Sequence, residues 1–195
     1  MGDVGDNALA RDDIEILVVP EPAVDPEQSD VSAELNGWGT MVLTYPDGPH
    51  NCESILVDPV TDDLLVITKD GGGDTAVFRK PGPHQDGDVF ELLHVVDLDF
   101  SSSPFSGNRN TTAADIHPDG DLLAIRTYSD VWLFRRNLTE DWTTTFAREP
   151  CDGDAPQEQQ GEAVAFSADG SGYIVLSEGT SRPIQYRPIV PVPGG

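Results

Sequence analysis

Short runs of aliphatic and β-branched residues alternate with turn-forming residues along most of the chain, and one arrangement of them recurs. Glu53-Ser54-Ile55-Leu56-Val57-Asp58-Pro59, Thr112-Ala113-Ala114-Asp115-Ile116-His117-Pro118 and Glu162-Ala163-Val164-Ala165-Phe166-Ser167-Ala168 can be laid over one another, with starts 59 and 50 residues apart. Each passes through a turn (Val60 to Asp63, Asp119-Gly120, Asp169-Gly170) into a second β-rich run, Leu64 to Thr68, Leu122 to Thr127 and Tyr173 to Ser177. Asp-Gly between two such runs predicts a hairpin with a type I′ turn, which requires positive φ. A third run ends in an aromatic residue followed by arginine: Ala76 to Arg79, Trp132 to Arg135 and Ile184 to Arg187.

The period is therefore a three-strand meander, and a fourth, outer strand fits Phe90 to Leu98 and Trp142 to Ala147. Four strands in roughly 45 to 55 residues describe a propeller blade. Ile14 to Val19 and Met41 to Tyr45 read as strands three and four of an earlier blade, so the chain is expected to begin inside one. The expected fold is all-β, a partial β-propeller of about three and a half four-stranded blades. It would form one domain over 1–187, with a blade fragment at 1–50, blades at 51–99, 100–149 and 150–187, and an extended tail at 188–195. A β-sandwich built from the same hairpins is the alternative. An open arc leaves its end sheets unpaired, which suggests either a piece of a longer ring or a homodimer completing one.

Composition supports the all-β reading and narrows the partners. The 16 prolines and 19 glycines interrupt every window long enough for an extended helix. Formal charge is −24, with 35 acidic residues against 11 basic, so nucleic acid and anionic membrane surfaces are repelled. No stretch approaches the ~20 apolar residues of a membrane span, and Met1-Gly2-Asp3-Val4-Gly5-Asp6 lacks the features of a signal peptide. Cys52 and Cys151 could pair in an oxidising compartment.

Gly2-Asp3-Val4-Gly5-Asp6-Asn7, Glu53 to Pro59, Ala114-Asp115 through Arg126-Thr127-Tyr128, and Gln160-Gly161-Glu162-Ala163 together resemble a group of uncharacterised bacterial β-propeller proteins. That group is distantly similar to phytase-like and esterase-like propellers. The resemblance covers nearly the whole chain and implies a propeller, often exported, hence an extracytoplasmic location. In phytase-like relatives, acidic residues at the channel mouth hold calcium; the counterparts implied here are Asp3, Asp6, Glu53 and Glu162. The basic substrate-binding cluster of a phytase is absent, Lys69 and Arg126 being the obvious cations.

The first strand of each propeller blade lines the central channel, and connections on one face gather residues from different blades. Glu53, Thr112 and Glu162 start equivalent strands and are expected to converge there. With Asp3, Asp6 and Asn7, the two glutamates supply the hard oxygen donors that calcium favours, although the same residues also read as solvated loop ends and turn formers. Lys69, Arg126 and Glu178 lie at or just after the ends of the second strands and extend the ligand-binding set to one rim. Arg126 could instead neutralise Asp115 or a channel glutamate. No Gly-x-Ser-x-Gly elbow occurs, Ser54 is the one serine at a strand-one start, and no catalytic residue is assigned. The leading reading is a module binding a small ligand or cation at the channel mouth. The alternatives are a calcium-assisted phosphoesterase or esterase-like hydrolase and a protein-interaction scaffold.

Overall fold

The computed structural model describes residues 1–25, 27, 29, 32–101, 108–156, 158 and 160–189. Residues 102–107 of the rim loop expected between Ser101 and Thr111, and residues 190–195 of the expected tail, lie outside the described residues.

The fold is all-β, a partial propeller of four blade-like sheets. β1 (Gly2–Asp3), β2 (Ile14–Val18) and β3 (Gly39–Thr44) pair antiparallel in that order, so the runs expected as third and fourth strands of a blade are the second and third of this sheet, because Gly2–Asp3 pairs along the free edge of β2. The meander β4 (Cys52–Val57), β5 (Leu64–Thr68) and β6 (Asp74–Lys80) follows. β7 (Val89–Glu91) then crosses back to add parallel to β3, and β8 (Leu93–Asp99) returns to the outer edge of β6. The third sheet is β9 (Thr111–Ile116), β10 (Leu122–Thr127), β11 (Val131–Arg135) and β12 (Cys151–Gly153); the fourth is β13 (Gly161–Phe166), β14 (Gly172–Ser177) and β15 (Gln185–Pro188). The inner strands β4, β9 and β13 are successive neighbours, as blades around a channel require. Two sheets face to face, the sandwich alternative, would not give that sequence of contacts.

Period-two alternation explains how the blades cohere. Successive side chains of a strand point to opposite faces. In β5, Leu65 and Ile67 join Leu123, Ile125 and Phe134 of the third sheet, while Leu64 and Val66 join Ile14, Ile16, Met41 and Leu43 of the first. Because both faces are covered, β5 is buried along its whole length and reads as an unbroken apolar run. Ala124 and Val131 likewise turn toward Val164, Tyr173 and Val175 of the fourth sheet. Each large aliphatic chain buried this way contributes about 1.5–3 kcal/mol.

Four local expectations are corrected. Trp142 to Ala147 is not a strand: Trp142–Phe146 is a helix, α1, because Asp141 caps it by accepting from Thr144 N (2.7 Å) and Trp142 and Phe146 bury one face. The outer strand of that blade is β12 instead. Phe90 to Leu98 is two strands divided at buried Leu92, each serving a different sheet. The Asp-Gly turns are not type I′. Gly120 and Gly170 alone carry positive φ (76° and 68°), and their N–H groups donate to His117 O and Ser167 O, which closes a turn with Asp119 or Asp169 in ordinary backbone. Cys52 and Cys151 are both free thiols, one buried within the sheet and one exposed, so the possible disulfide does not form.

Buried polar contacts join successive blades. Arg136 Nη1 donates to Asp58 Oδ2 at 2.6 Å, with both side chains withdrawn from solvent (2% and 0% exposed), and the guanidinium lies 4.2 Å from the Trp142 ring centroid. Asp115 Oδ2 accepts from Phe166 N (2.7 Å), and His117 Nε2 donates to Gly170 O (3.1 Å) at the next junction. Burial works against the Asp58 carboxylate, but Thr61, Val60 N and Arg136 together hold it below the usual carboxylate range. Its contribution is therefore complete above the unfolded carboxylate pKa and is lost as pH falls through the lower folded value. Arg136→Ala leaves a buried charge uncompensated and is expected to cost about 3–5 kcal/mol in urea unfolding at pH 7; a loss below ~1 kcal/mol would show that the pair does not hold these blades together.

Candidate functional site

The same defect occurs in all three repeats. Cys52 pairs with Thr68 and Ser54 with Ile67, leaving Glu53 as the extra residue of a β-bulge. Thr111 pairs with Thr127 and Ala113 with Arg126, leaving Thr112. Gly161 pairs with Ser177 and Ala163 with Leu176, leaving Glu162. A bulge re-aims one side chain without ending the strand and is common beside binding sites. Glu53, Thr112 and Glu162 are thus structurally equivalent, at the starts of adjacent inner strands.

The register also revises the relation among the other candidates. Lys69 N, Tyr128 N and Glu178 N donate to Asn51 O, Asn110 O and Gln160 O at 2.8, 3.1 and 2.8 Å. Lys69 and Glu178 therefore correspond to Tyr128, whereas Arg126 aligns with Ile67 and Leu176. Arg126 is not a rim residue like Lys69; it lies deeper, wedged at the junction of the third and fourth sheets.

Glu53 is held by two donors, Lys69 Nζ at 2.9 Å and Asn51 Nδ2 at 3.1 Å. Asn51 also accepts from Asp6 N (2.7 Å) and donates to Asn7 Oδ1 (3.3 Å), so one hydrogen-bonded chain runs from Asp6 and Asn7 to Glu53 and Lys69. The Lys69 ammonium stands 5.0 Å from the Tyr128 ring centroid, a cation–π distance. Burial opposes its charge, but Glu53 and Tyr128 raise its pKa above the usual lysine value.

Arg126 is fully buried and donates through Nη2 to Glu158 Oε2 at 2.5 Å, not to Asp115. Its Nε and Nη1 have no hydrogen-bond partner among the described residues. Gly161 is required here: a Cβ at that position would meet Arg126 Nη2 at 1.8 Å. Thr112 Oγ1 donates to Gly161 O (2.7 Å) from the other side. Glu162 makes no side-chain hydrogen bond or ion pair among the described residues. Burial pushes its carboxyl up, Lys69 and Arg126 pull it down, and Glu178 and Glu53 push it up again. Glu178 is exposed on the rim.

The donors expected to hold calcium are largely committed elsewhere. Asp3 pairs with Arg11 at 2.8 Å, and Asp6 Oδ2 accepts from Ala10 N and Arg11 N, both at 2.7 Å. Among the described residues, no group of three or more His, Cys, Asp or Glu is arranged to hold a metal, whereas calcium takes six to eight oxygens. Among the described residues Ser54 Oγ is buried without a hydrogen-bond partner, so none of them stands as a base to activate it.

Asn51, Tyr128 and Glu158 are the residues the sequence reading missed. Asn51 carried a usable signal, because Asn51, Asn110 and Gln160 each stand two residues before a bulge residue. Glu158 carried none, since it lies in a connection without periodicity.

The raised Glu162 carboxyl sets a sign for stability. The folded state holds that proton longer than the unfolded chain, so stability falls as pH rises from the ordinary glutamate value of about 4.3 through the higher folded value. Glu162→Gln removes this penalty. The variant is expected to melt higher than the parent at pH 7 and to match it below about pH 4; calorimetric scans giving no advantage at pH 7 would reject the assignment.

No protein-family model matches the chain, and no curated protein does. Among solved structures, the chain is similar to the crystal structure of a protein from Lactobacillus plantarum, at 10% identity and a TM-score of 0.49. The match covers 97% of this chain and 53% of the other, so the chain spans about half of that protein's length.

Proposed function

We propose that this chain is a propeller module that binds a small cationic ligand at its channel mouth. The observation that carries the reading is the bulge repeated at Glu53, Thr112 and Glu162, which puts two carboxylates at equivalent places at the starts of the inner strands. Glu162, partly buried, unpaired and pressed by Glu53 and Glu178, is the carboxylate a ligand cation would relieve. Lys69 is the cation beside the site, between Glu53 and the Tyr128 ring, and Arg126 acts on Glu162 only from its buried position at the junction. Calcium is one such cation, and an organic ammonium, which needs a single carboxylate rather than a full set of oxygen donors, is another. The extracytoplasmic setting is part of this proposal and rests on the resemblance alone. So does the phosphoesterase or esterase reading, which predicts turnover that a chelator abolishes.

Calorimetric titration with calcium chloride and with tetramethylammonium tests the site. One of the two is expected to bind, and Glu53→Gln with Glu162→Gln is expected to weaken it at least about tenfold, since a charged hydrogen-bond partner contributes roughly 1.5–3 kcal/mol. Equal affinity in the double variant, or heat from neither cation, would favour an interaction scaffold instead.

We also propose that a second copy covers the end sheets. Val18 on the first sheet and Ile174 and Tyr186 on the fourth are exposed apolar residues at the two ends of the arc (51%, 37% and 47%). Light scattering is expected to give twice 21.0 kDa; a monodisperse monomer at high concentration would rule the dimer out.

A further inference from the structure

The loop joining β3 to β4 carries a histidine with a carboxylate on each ring nitrogen. His50 Nδ1 lies 3.0 Å from Asp70 Oδ1, in the β5–β6 turn, and Nε2 lies 3.1 Å from Asp47 Oδ1, in its own loop. A neutral imidazole has one N–H and one lone pair, so it can donate to only one of these oxygens; the imidazolium donates to both. Tyr45 and Phe78 hold the ring by edge and tilted contacts at 4.9 and 5.1 Å. Thr68 Oγ1 fixes Asp70 from the other side by donating to Oδ2 at 2.5 Å.

The positions of these groups along the chain connect them to the channel mouth. His50 immediately precedes Asn51, and Asp70 immediately follows Lys69. Asn51 and Lys69 are the two donors on Glu53. The backbone neighbours of both donors are therefore tied together through one imidazole ring.

We propose that the proton on His50 regulates the channel-mouth site. Protonated, His50 clips the β3–β4 loop to the β5–β6 turn and holds Asn51 and Lys69 on Glu53. Deprotonated, it loses one carboxylate, the loop is released, and Glu53 loosens. This regulation rests on the ligand-site reading above, but the clamp itself can be observed without ligand.

The surrounding groups keep the switch on one residue. Asp47 and Asp70 are the charged groups in contact with it. Tyr45 and Cys52 stay neutral, because burial pushes the phenol up and raises the thiol to about 12. Farther out lie the Lys69–Glu53 and Arg11–Asp3 pairs, and His94 beyond Phe78, paired with Asp97. Burial works against the charged His50 ring, yet the hydrogen bonds to Asp70 and Asp47 raise its pKa above the ordinary histidine value. Its stabilisation is thus complete below about pH 6.5 and is lost as pH rises through the folded value.

Imidazole and backbone NMR of the full chain from pH 5 to 9 tests the clamp. His50 is expected to titrate above 6.5, with the amides of Asn51, Glu53 and Lys69 shifting at the same midpoint. In His50→Gln the amide transition should vanish, together with the His50 share of the decline in melting temperature above pH 6.5. A His50 midpoint at or below 6.5, or amides that titrate identically in the variant, would overturn the proposal; if the variant does not fold, the parent's midpoints decide. Calcium chloride and tetramethylammonium affinities at pH 6 and 8.5 complete the test. Binding that ignores the His50 midpoint overturns the coupling. Absence of binding at both values overturns the ligand reading alone, and the clamp is then judged on the amides.

Discussion

A guanidinium with no access to solvent constrains the junction of the third and fourth sheets and much of the candidate site with it. Arg126 enters from β10 beside the apolar cluster of Ala124, Val131, Val164, Tyr173 and Val175. A buried charge in such a place must be paired, so the connection before β13 has to bring Glu158 to it. The flat guanidinium also needs a neighbour without a side chain, which Gly161 provides at the first position of β13. The next residue is Glu162, bulged out of the strand. That bulge recurs at Glu53 and Thr112, and what Arg126 adds at this junction is the glycine immediately before the carboxylate.

The other junctions use different chemistry for the same purpose. Between the second and third sheets the link is the buried Asp58–Arg136 pair, backed by the Trp142 ring. Between the first and second it is an exchange of backbone: β7 leaves its own blade to lie beside β3 while β8 returns. A twisted sheet has two faces to cover and two edges to protect. Each neighbouring blade covers a face, and the β7 exchange protects an edge, so the arc is held by interactions that no isolated blade could make.

Around the bulged start of β4, side chains from three sheets form one connected set. Asn51 is its hub, joining Asp6 and Asn7 of the first sheet's turn to Glu53 and, through Glu53, to Lys69 above Tyr128 of the third sheet. Most of these groups satisfy one another. Glu162 stands apart because no described neighbour pairs with it, and the proposed ligand site rests on that carboxylate.

Local structure was legible along the chain. The β-rich runs Leu64 to Thr68 and Leu122 to Thr127 marked strands, the repeated turns gave the meander, and superposition of the repeats put Glu53, Thr112 and Glu162 in equivalent places. These features depend on residues a few positions apart, where side-chain period and turn chemistry are sufficient. The remaining features depend on contacts between distant segments. Thr143, Thr144 and Thr145 favour a strand on propensity, yet an aspartate cap and two buried aromatic rings make a helix. Phe90 and Leu98 look like parts of one strand, but two different edges compete for the segment. Asn51, Tyr128 and Glu158 gain meaning from partners on other blades, across separations that no local pattern records. Charge pairing, close approach to a glycine and the choice of a strand edge are properties of surfaces brought together, and the chain acquires those surfaces only on folding.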